Sequence, residues 1–316
     1  MGETVLITGA SGYLGHELVR EILERSEELG VSKLIALDDL RYGQDNLAVF
    51  ARNPKFEFVN CDVRNYEELQ KHVSRANVIY ILAAVVGAPA CSRNKRESEE
   101  INTNQVNFIV NNCSYGTKII YPCTNSIFGA SPDGVCNEES EKRILSLYAD
   151  TKWRGEQHVL DYGGISTRLS TVMGFSGRHR RDLLVNSFVL EALQNGYIIL
   201  AEEHFMRSYV HILDVISAFI HCYKNYDKMK GQAYNVSAED CSKRELCEKI
   251  KKYIPKFVIK SDSISEDVDK RNYRINFDKI KKTGWSPKYS VEVAIRELIS
   301  GYPILLNSTL NRYTNL

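Results

Sequence analysis

Residues 5 to 15 read Val-Leu-Ile-Thr-Gly-Ala-Ser-Gly-Tyr-Leu-Gly, a short apolar run that ends in glycines spaced three apart. This run predicts a strand, a tight turn and a helix in direct succession. Gly9 permits the turn, Gly12 lets backbone N–H groups approach a pyrophosphate, and Gly15 allows close helix–strand packing. The helix N-terminus then offers positive potential to phosphates. A glycine turn alone is a weak signal. Here a strand precedes it, a helix follows, and Asp38 closes the next strand. A carboxylate at that place accepts hydrogen bonds from adenosine ribose hydroxyls and repels a 2′-phosphate, which favours NAD over NADP. Arg41 stands close enough to accommodate such a phosphate, and Asp38 with Asp39 also reads as a plain polar turn. Cys61-Asp62-Val63, ending the third strand, is placed to flank an adenine, with Asp62 at its amino edge.

The same alternation continues through the first half of the chain. Val5 to Thr8, Lys33 to Leu37, Lys55 to Asn60, Asn77 to Ala83, Lys118 to Thr124 and Gly164 to Ser170 read as buried strands. Tyr13 to Leu29, Tyr66 to Ser74, Glu97 to Cys113 and Ala149 to Tyr162 read as helices between them. The pattern predicts an α/β fold, a Rossmann-type doubly wound parallel sheet whose ligands gather at the carboxyl ends of the strands. After about Val172 the rhythm changes to a basic loop, Gly177-Arg-His-Arg-Arg-Asp182, a helix from Leu183 to Gln194, and mixed short elements. With 316 residues there is chain for two parts. Residues 1–172 with about 209–236 form the expected NAD-binding part; about 173–208 and 237–316 form a smaller α/β substrate-binding part.

Charge and cysteine usage narrow the function. Forty-one Lys and Arg against 40 Asp and Glu leave a net charge of +1, which argues against nucleic acid or an anionic membrane as partner. The apolar stretch Val78 to Cys91 is too short for the roughly 20 residues that span a bilayer. The N-terminus lacks the cationic start of a signal peptide, so the expected location is the cytoplasm. The 8 cysteines and 7 histidines are scattered, without metal-ligand spacing, and no metal is expected.

Tyr148-Ala-Asp-Thr-Lys152 places a phenol and an amine on one face of a helix. A free phenol has a pKa near 10, too high for a base at neutral pH; a neighbouring ammonium and an oxidised nicotinamide stabilise its anion. Tyr148 is then the expected base, with Lys152 lowering its pKa and holding the nicotinamide ribose. In Pro122-Cys-Thr-Asn-Ser126, Thr124 and Ser126 are both candidates to bond the substrate oxygen.

Taken together, Thr8-Gly-Ala-Ser-Gly-Tyr-Leu-Gly15, Ala83-Ala84, Thr124 and Tyr148-x-x-x-Lys152 resemble the extended short-chain dehydrogenases, the nucleotide-sugar epimerases and dehydratases. Arg207-Ser-Tyr-Val-His-Ile-Leu-Asp-Val215, Tyr234-Asn-Val-Ser, Asp269-Lys-Arg271 and Gly284-Trp-Ser-Pro287 resemble later segments of that family. The resemblance implies cofactor contacts from Gly9, Gly12, Tyr13, Leu14, Gly15, Asp38, Asp62, Val63, Ala83, Ala84, Asn102, Tyr148 and Lys152. It also implies that Thr124, Asn125 and Ser126 bind the substrate, and that Asn186, Arg207 and Arg271 bind the diphosphate of a nucleotide sugar. Arg178, Arg180 and Arg181 either join them or form a solvated basic loop. Asn125 and Ser126 stand where the family's dehydratases carry an Asp-Glu pair, and Ser126 where its double epimerases carry a cysteine. Val85-Val-Gly-Ala-Pro-Ala-Cys91, Arg181-Asp-Leu-Leu-Val-Asn-Ser-Phe188, Glu202-Glu-His-Phe205 and Asn225 to Asn235 look like the GDP-heptose 4-dehydrogenases of bacterial capsule biosynthesis. That closer resemblance implies a GDP-linked sugar oxidised at C4, with Val86 lining the sugar pocket, and a 2-keto acid as a possible second oxidant. A C4 epimerase is the alternative, and a non-catalytic NAD-binding regulator a more distant one. The family's habit of pairing helices implies a homodimer.

Overall fold

The computed structural model describes residues 2–262 and 271–306. Asp269 and Lys270 of the C-terminal signature lie outside the described residues. Seven strands, β1 (Glu3–Thr8), β2 (Val31–Asp38), β3 (Phe56–Asn60), β4 (Val78–Ile81), β5 (Lys118–Thr124), β6 (Ile165–Leu169) and β7 (Gln232–Val236), form one sheet. Their order is β3-β2-β1-β4-β5-β6-β7, and every pairing is parallel. The chain therefore starts in the middle, winds to one edge, and returns to build the other half. The reversal between β1 and β4 opens a crevice at their carboxyl ends, the usual ligand site of such sheets.

Hydrophobic cores fill both faces. On one, Leu18, Val19 and Ile22 of helix α1 (Tyr13–Glu24) pack with residues of the strands and of a later helix, Ile212–Lys224. On the other, Leu69 and Val73 of α2 (Tyr66–Val73) join Val106 and Ile109 of α3 (Gln105–Asn112) and Ala149 and Val159 of α4 (Leu147–Tyr162). A third core lies in the second half of the chain. It joins α5 (Leu184–Gln194), the helix Lys243–Tyr253 and the helix Val291–Leu306 through Val189, Leu246 and Leu298. Ile280 and Trp285, in the stretch expected to serve the substrate part, pack instead into the α1 face of the main sheet. Among the described residues no helix is long and apolar enough to cross a membrane.

Two helices depart from the periodicity. The apolar pattern of α1 runs on to the buried Leu29, but the helix ends at Glu24, and residues 25–30 form turns before Gly30 at φ 66°. The helix expected from Glu97 to Cys113 is interrupted by a wider turn at Glu100–Asn104. That turn carries Asn102 inward to the backbone of Val85, and such π-type turns collect near functional sites.

Helix α4 is locked to the sheet by a buried ion pair. Arg168 Nη2 of β6 meets Glu156 Oε1 of α4 at 2.7 Å, and the two side chains are 6% and 0% exposed. Ser166 Oγ donates to Glu156 Oε2 at 2.6 Å, and Arg168 Nη1 donates to the Glu138 carbonyl at 2.8 Å. Removing one partner leaves an uncompensated buried charge. Arg168→Met is therefore expected to lower the unfolding free energy by about 3–5 kcal/mol, measured by urea denaturation.

Candidate active site

A cavity of about 1110 Å³ opens at the carboxyl ends of the strands, between the sheet and the second half of the chain. It exceeds the roughly 300–1,000 Å³ of a typical small-molecule pocket, as room for a dinucleotide beside a second ligand requires. Gly9, Gly12, Tyr13, Leu14 and Gly15 form one wall. Gly9 sits at φ 69°, and a Cβ there would lie 2.7 Å from the Ala83 nitrogen. A Cβ at Gly15 would come within 2.3 Å of the Gly9 carbonyl oxygen. Helix α1 begins at Gly12 without a side-chain cap, which leaves its first-turn N–H groups available to a phosphate.

At the far end Asp38 lines the cavity. Its carboxylate accepts the Ser11 N–H at 3.0 Å and the Leu40 N–H at 2.9 Å, while burial raises its pKa. Arg41 is committed to Asp39 at 2.8 Å and Glu97 at 3.0 Å, so the arginine that clouded the cofactor reading is held by two carboxylates. Val63, Ala83 and Ala84 also line the cavity. Asp62 does not; Arg64 holds its carboxylate through Nε at 3.0 Å.

The other end gathers Thr124, Ser126, Tyr148, Lys152 and Val86. Thr124 Oγ1 donates to Ser126 Oγ at 2.9 Å and accepts the Ser126 N–H at 3.1 Å. Ser126 Oγ also accepts from Arg271 Nη1 at 2.7 Å, which joins the C-terminal part to the end of β5. Burial pushes the Tyr148 phenol up to about 12. Burial pulls the Lys152 amine down to about 8, and its Nζ stands 3.9 Å from the centre of the Tyr121 ring. In the chain by itself burial dominates both groups and moves each away from its charged form.

Three asparagines expected at ligands are buried and hydrogen-bonded within the protein. Asn102 Oδ1 accepts the Val85 N–H at 2.8 Å, and its Nδ2 donates to the Val85 carbonyl at 2.9 Å and Thr151 Oγ1 at 3.1 Å. Asn125 Nδ2 donates to Ser170 Oγ at 3.0 Å. Asn186 Nδ2 donates to the carbonyls of Gly174 and Arg180 at 3.2 and 2.8 Å. None of the three lines the cavity. Asn102 and Asn186 satisfy backbone groups of loops that do, as a buried loop demands, and Asn125 bonds a neighbouring hydroxyl.

The family resolves once this geometry is compared with known proteins. The profile of the NAD-dependent epimerase/dehydratase family matches residues 5–237. The chain belongs to that family. Its cofactor is NAD, and the wall from Gly9 to Gly15 with Asp38 fits that dinucleotide. The low-salt glycan biosynthesis protein Agl12 of Haloferax volcanii is 25% identical over 94% of this chain and 98% of its own. UDP-glucuronic acid 4-epimerase from Bacillus cereus superposes with a TM-score of 0.84 at 21% identity, over 96% of this chain and 99% of that one. dTDP-glucose 4,6-dehydratase from Bacillus anthracis gives a TM-score of 0.80 at 22% identity, over 99% of both chains.

Within this epimerase/dehydratase fold the sequence concealed several cavity residues. Arg178 and Arg180 are 3% and 8% exposed and line the cavity, so the basic loop is not solvated there. Arg181 points elsewhere, donating to the Leu305 carbonyl at 3.0 Å. Arg207 and Arg271 line the cavity, and Lys243, which no motif singles out, lines it too. Lys243 donates to the Ala201 carbonyl, and its Nζ lies 5.7 Å from the Phe205 ring centre. A signal was available: Ser242 and Glu245 form a reciprocal capping box, which puts Lys243 on the first turn of its helix. The lysine nearest Tyr148 also yields a direct test. Burial disfavours the charged amine, so [13C]lysine NMR is expected to show one signal titrating near 8 that Lys152→Met removes.

Proposed function

We propose that this protein oxidises C4 of a nucleotide-linked sugar with NAD, and that the sugar nucleotide is GDP-D-glycero-α-D-manno-heptose. The observation that carries the reading is the convergence of Thr124, Tyr148 and Lys152 on the same cavity as the glycine turn and Asp38. NAD, when bound, supplies the hydride acceptor. Tyr148 takes the proton of the C4 hydroxyl, and Thr124, which lines the same cavity, orients that hydroxyl. Lys152, one turn along α4, holds the nicotinamide ribose. Arg207, Arg271 and Lys243 bind the diphosphate, for which forked, permanently charged guanidinium groups are well suited.

Elimination of water from the sugar needs an added acid and base near C5 and C6. The positions after Thr124 hold Asn125 and Ser126, of which the first is turned to Ser170 and the second is tied to Arg271. These residues favour hydride transfer at C4 without dehydration. The GDP-heptose assignment rests on the sequence resemblance in the segments around Val86, Asp182 and Phe205. A C4 epimerase uses the same three residues, and the fold likeness to UDP-glucuronic acid 4-epimerase favours it as the second reading.

Purified enzyme mixed with NAD and GDP-heptose is expected to yield NADH absorbance and a 4-keto sugar, with loss of isotope from C4. Interconversion of C4 epimers without lasting keto product would establish the second reading, and no reaction at C4 would overturn both. Tyr148→Phe is expected to retain NAD binding and lose hydride transfer by about 10²–10⁴-fold, the usual worth of a positioned base.

A further inference from the structure

The loop from Gly174 to Asp182 belongs to the second half of the chain, yet hydrogen bonds fix its first part to α1. Tyr13 Oη donates to the Gly174 carbonyl at 2.7 Å, Ser176 Oγ donates to the Tyr13 carbonyl at 2.9 Å, and the Gly177 N–H donates to Glu17 Oε1 at 3.2 Å. Gly177 packs so tightly that a Cβ there would come within 2.2 Å of His16 Nε2. His179 holds the next part, stacking on Phe175 with 4.9 Å between ring centres and meeting the Tyr302 hydroxyl at 3.1 Å. Arg178 stands between these two anchors, so its backbone is fixed from both sides.

From that position the Arg178 side chain reaches the cofactor part of the chain. Its guanidinium lies 4.8 Å from the centre of the Tyr42 ring, in the loop that follows β2. Tyr42 is in turn tied to Asp38: its N–H donates to Gln44 Oε1 at 3.0 Å, and Gln44 Nε2 donates to Asp38 Oδ1 at 3.4 Å. Asp38, Tyr42, Gln44 and Arg178 all line the cavity. Arg178 is 3% exposed. A buried guanidinium needs attractive neighbours, and the face of an aromatic ring is one of them.

We propose that Arg178 and Tyr42 form a latch at the adenosine end of the NAD site, through which a loop from the second half of the chain holds the cofactor. This rests on Asp38 as the ribose acceptor, which marks the adenosine end. Arg207, Lys243 and Arg271 serve the diphosphate of the sugar nucleotide in the reading above, and Arg178 is set apart from them by its surroundings. Its loop is bound to α1, and its guanidinium meets the loop whose Gln44 bonds Asp38. A planar guanidinium against a phenol ring offers flat, polarised surfaces suited to a purine and its ribose. The contact also joins the two parts of the chain across the cavity, so exchange of the cofactor requires the two side chains to part. Neither residue falls in the glycine turn or beside the phenol–amine pair, and the two are remote in sequence, so no local pattern reveals the latch.

The test is the affinity for NAD by isothermal titration calorimetry, with AMP as a competitor that probes the adenosine end alone and with no sugar present. Arg178→Met and Tyr42→Leu are each expected to weaken both ligands by about ten-fold, within the range of partly desolvated cation–aromatic contacts. The double variant is expected to match the weaker single variant, because either substitution already breaks the pair. Arg178→Lys, which keeps the charge without the planar face, is expected to recover only part of the loss. Arg181→Met, in the same loop but turned to the Leu305 carbonyl, is expected to leave both affinities unchanged. Should Arg178→Met fail to fold, Tyr42→Leu carries the test, since Tyr42 lies only half-buried on its loop. Unchanged affinities, losses that add in the double variant, an equal loss in Arg181→Met, or a loss for NAD without one for AMP each overturn the latch. Asp38→Asn separates the premise from the proposal. If it weakens AMP while Arg178→Met does not, the latch alone falls; if it leaves AMP binding intact, the adenosine placement falls with it. None of these measurements needs a sugar substrate, so a failed nucleotide-sugar assay sinks the proposed reaction and leaves the latch to be decided by binding.

Discussion

Backbone contact at the Gly9–Gly15 turn is the constraint on which the rest of the structure depends. The turn passes so close to Ala83 and to its own first residues that side chains at Gly9 or Gly15 would collide with backbone atoms. Because no side chain intervenes, β1, β4 and the start of α1 meet at one point, and the uncapped helix terminus faces the cavity. Tyr13 and Ser176 then bind the loop after Gly174 to that same terminus. The glycine turn and the loop after Gly174 are therefore two sides of one junction rather than separately assembled pieces.

Charge follows the same geometry. The chain as a whole is nearly neutral, at +1, yet Arg178, Arg180, Arg207, Lys243 and Arg271 all line one cavity. Buried cations are costly unless paired or hydrogen-bonded. Here Asp182 holds Arg180, the Ala201 carbonyl holds Lys243, and Ser126 accepts from Arg271. Cations gathered in one cavity suit a small anionic ligand. The same low-dielectric setting explains why the phenol and amine on α4 move in opposite directions, each away from its charged form.

Much of the fold is readable along the chain because a buried strand and a crossover helix leave different periods in it. β5 appears in the structure with the bounds its composition predicts, and the turn at Gly9 follows β1 directly. Thr124, Tyr148 and Lys152 are legible because strand end and helical spacing determine where their side chains can lie. Asn102, Asn125 and Asn186 are not, because an amide can serve a ligand or a backbone with equal ease. Which it serves depends on the loop that passes beside it. Arg178 and Arg180 are hidden for a related reason: a basic loop in solvent and one pinned by Tyr302 and Asn186 have the same composition.

The sequence by itself determined the parallel sheet, the glycine turn with its acid partner, and the phenol–amine pair on one helix face. All of these are set by local geometry: the backbone freedom of glycine, and the repeat of strand and helix. Only the tertiary structure decided which polar side chains brace loops, and that Lys243 joins the arginines. Those outcomes depend on burial and on contacts between segments remote in sequence, such as Ser126 with Arg271, and no local pattern encodes them.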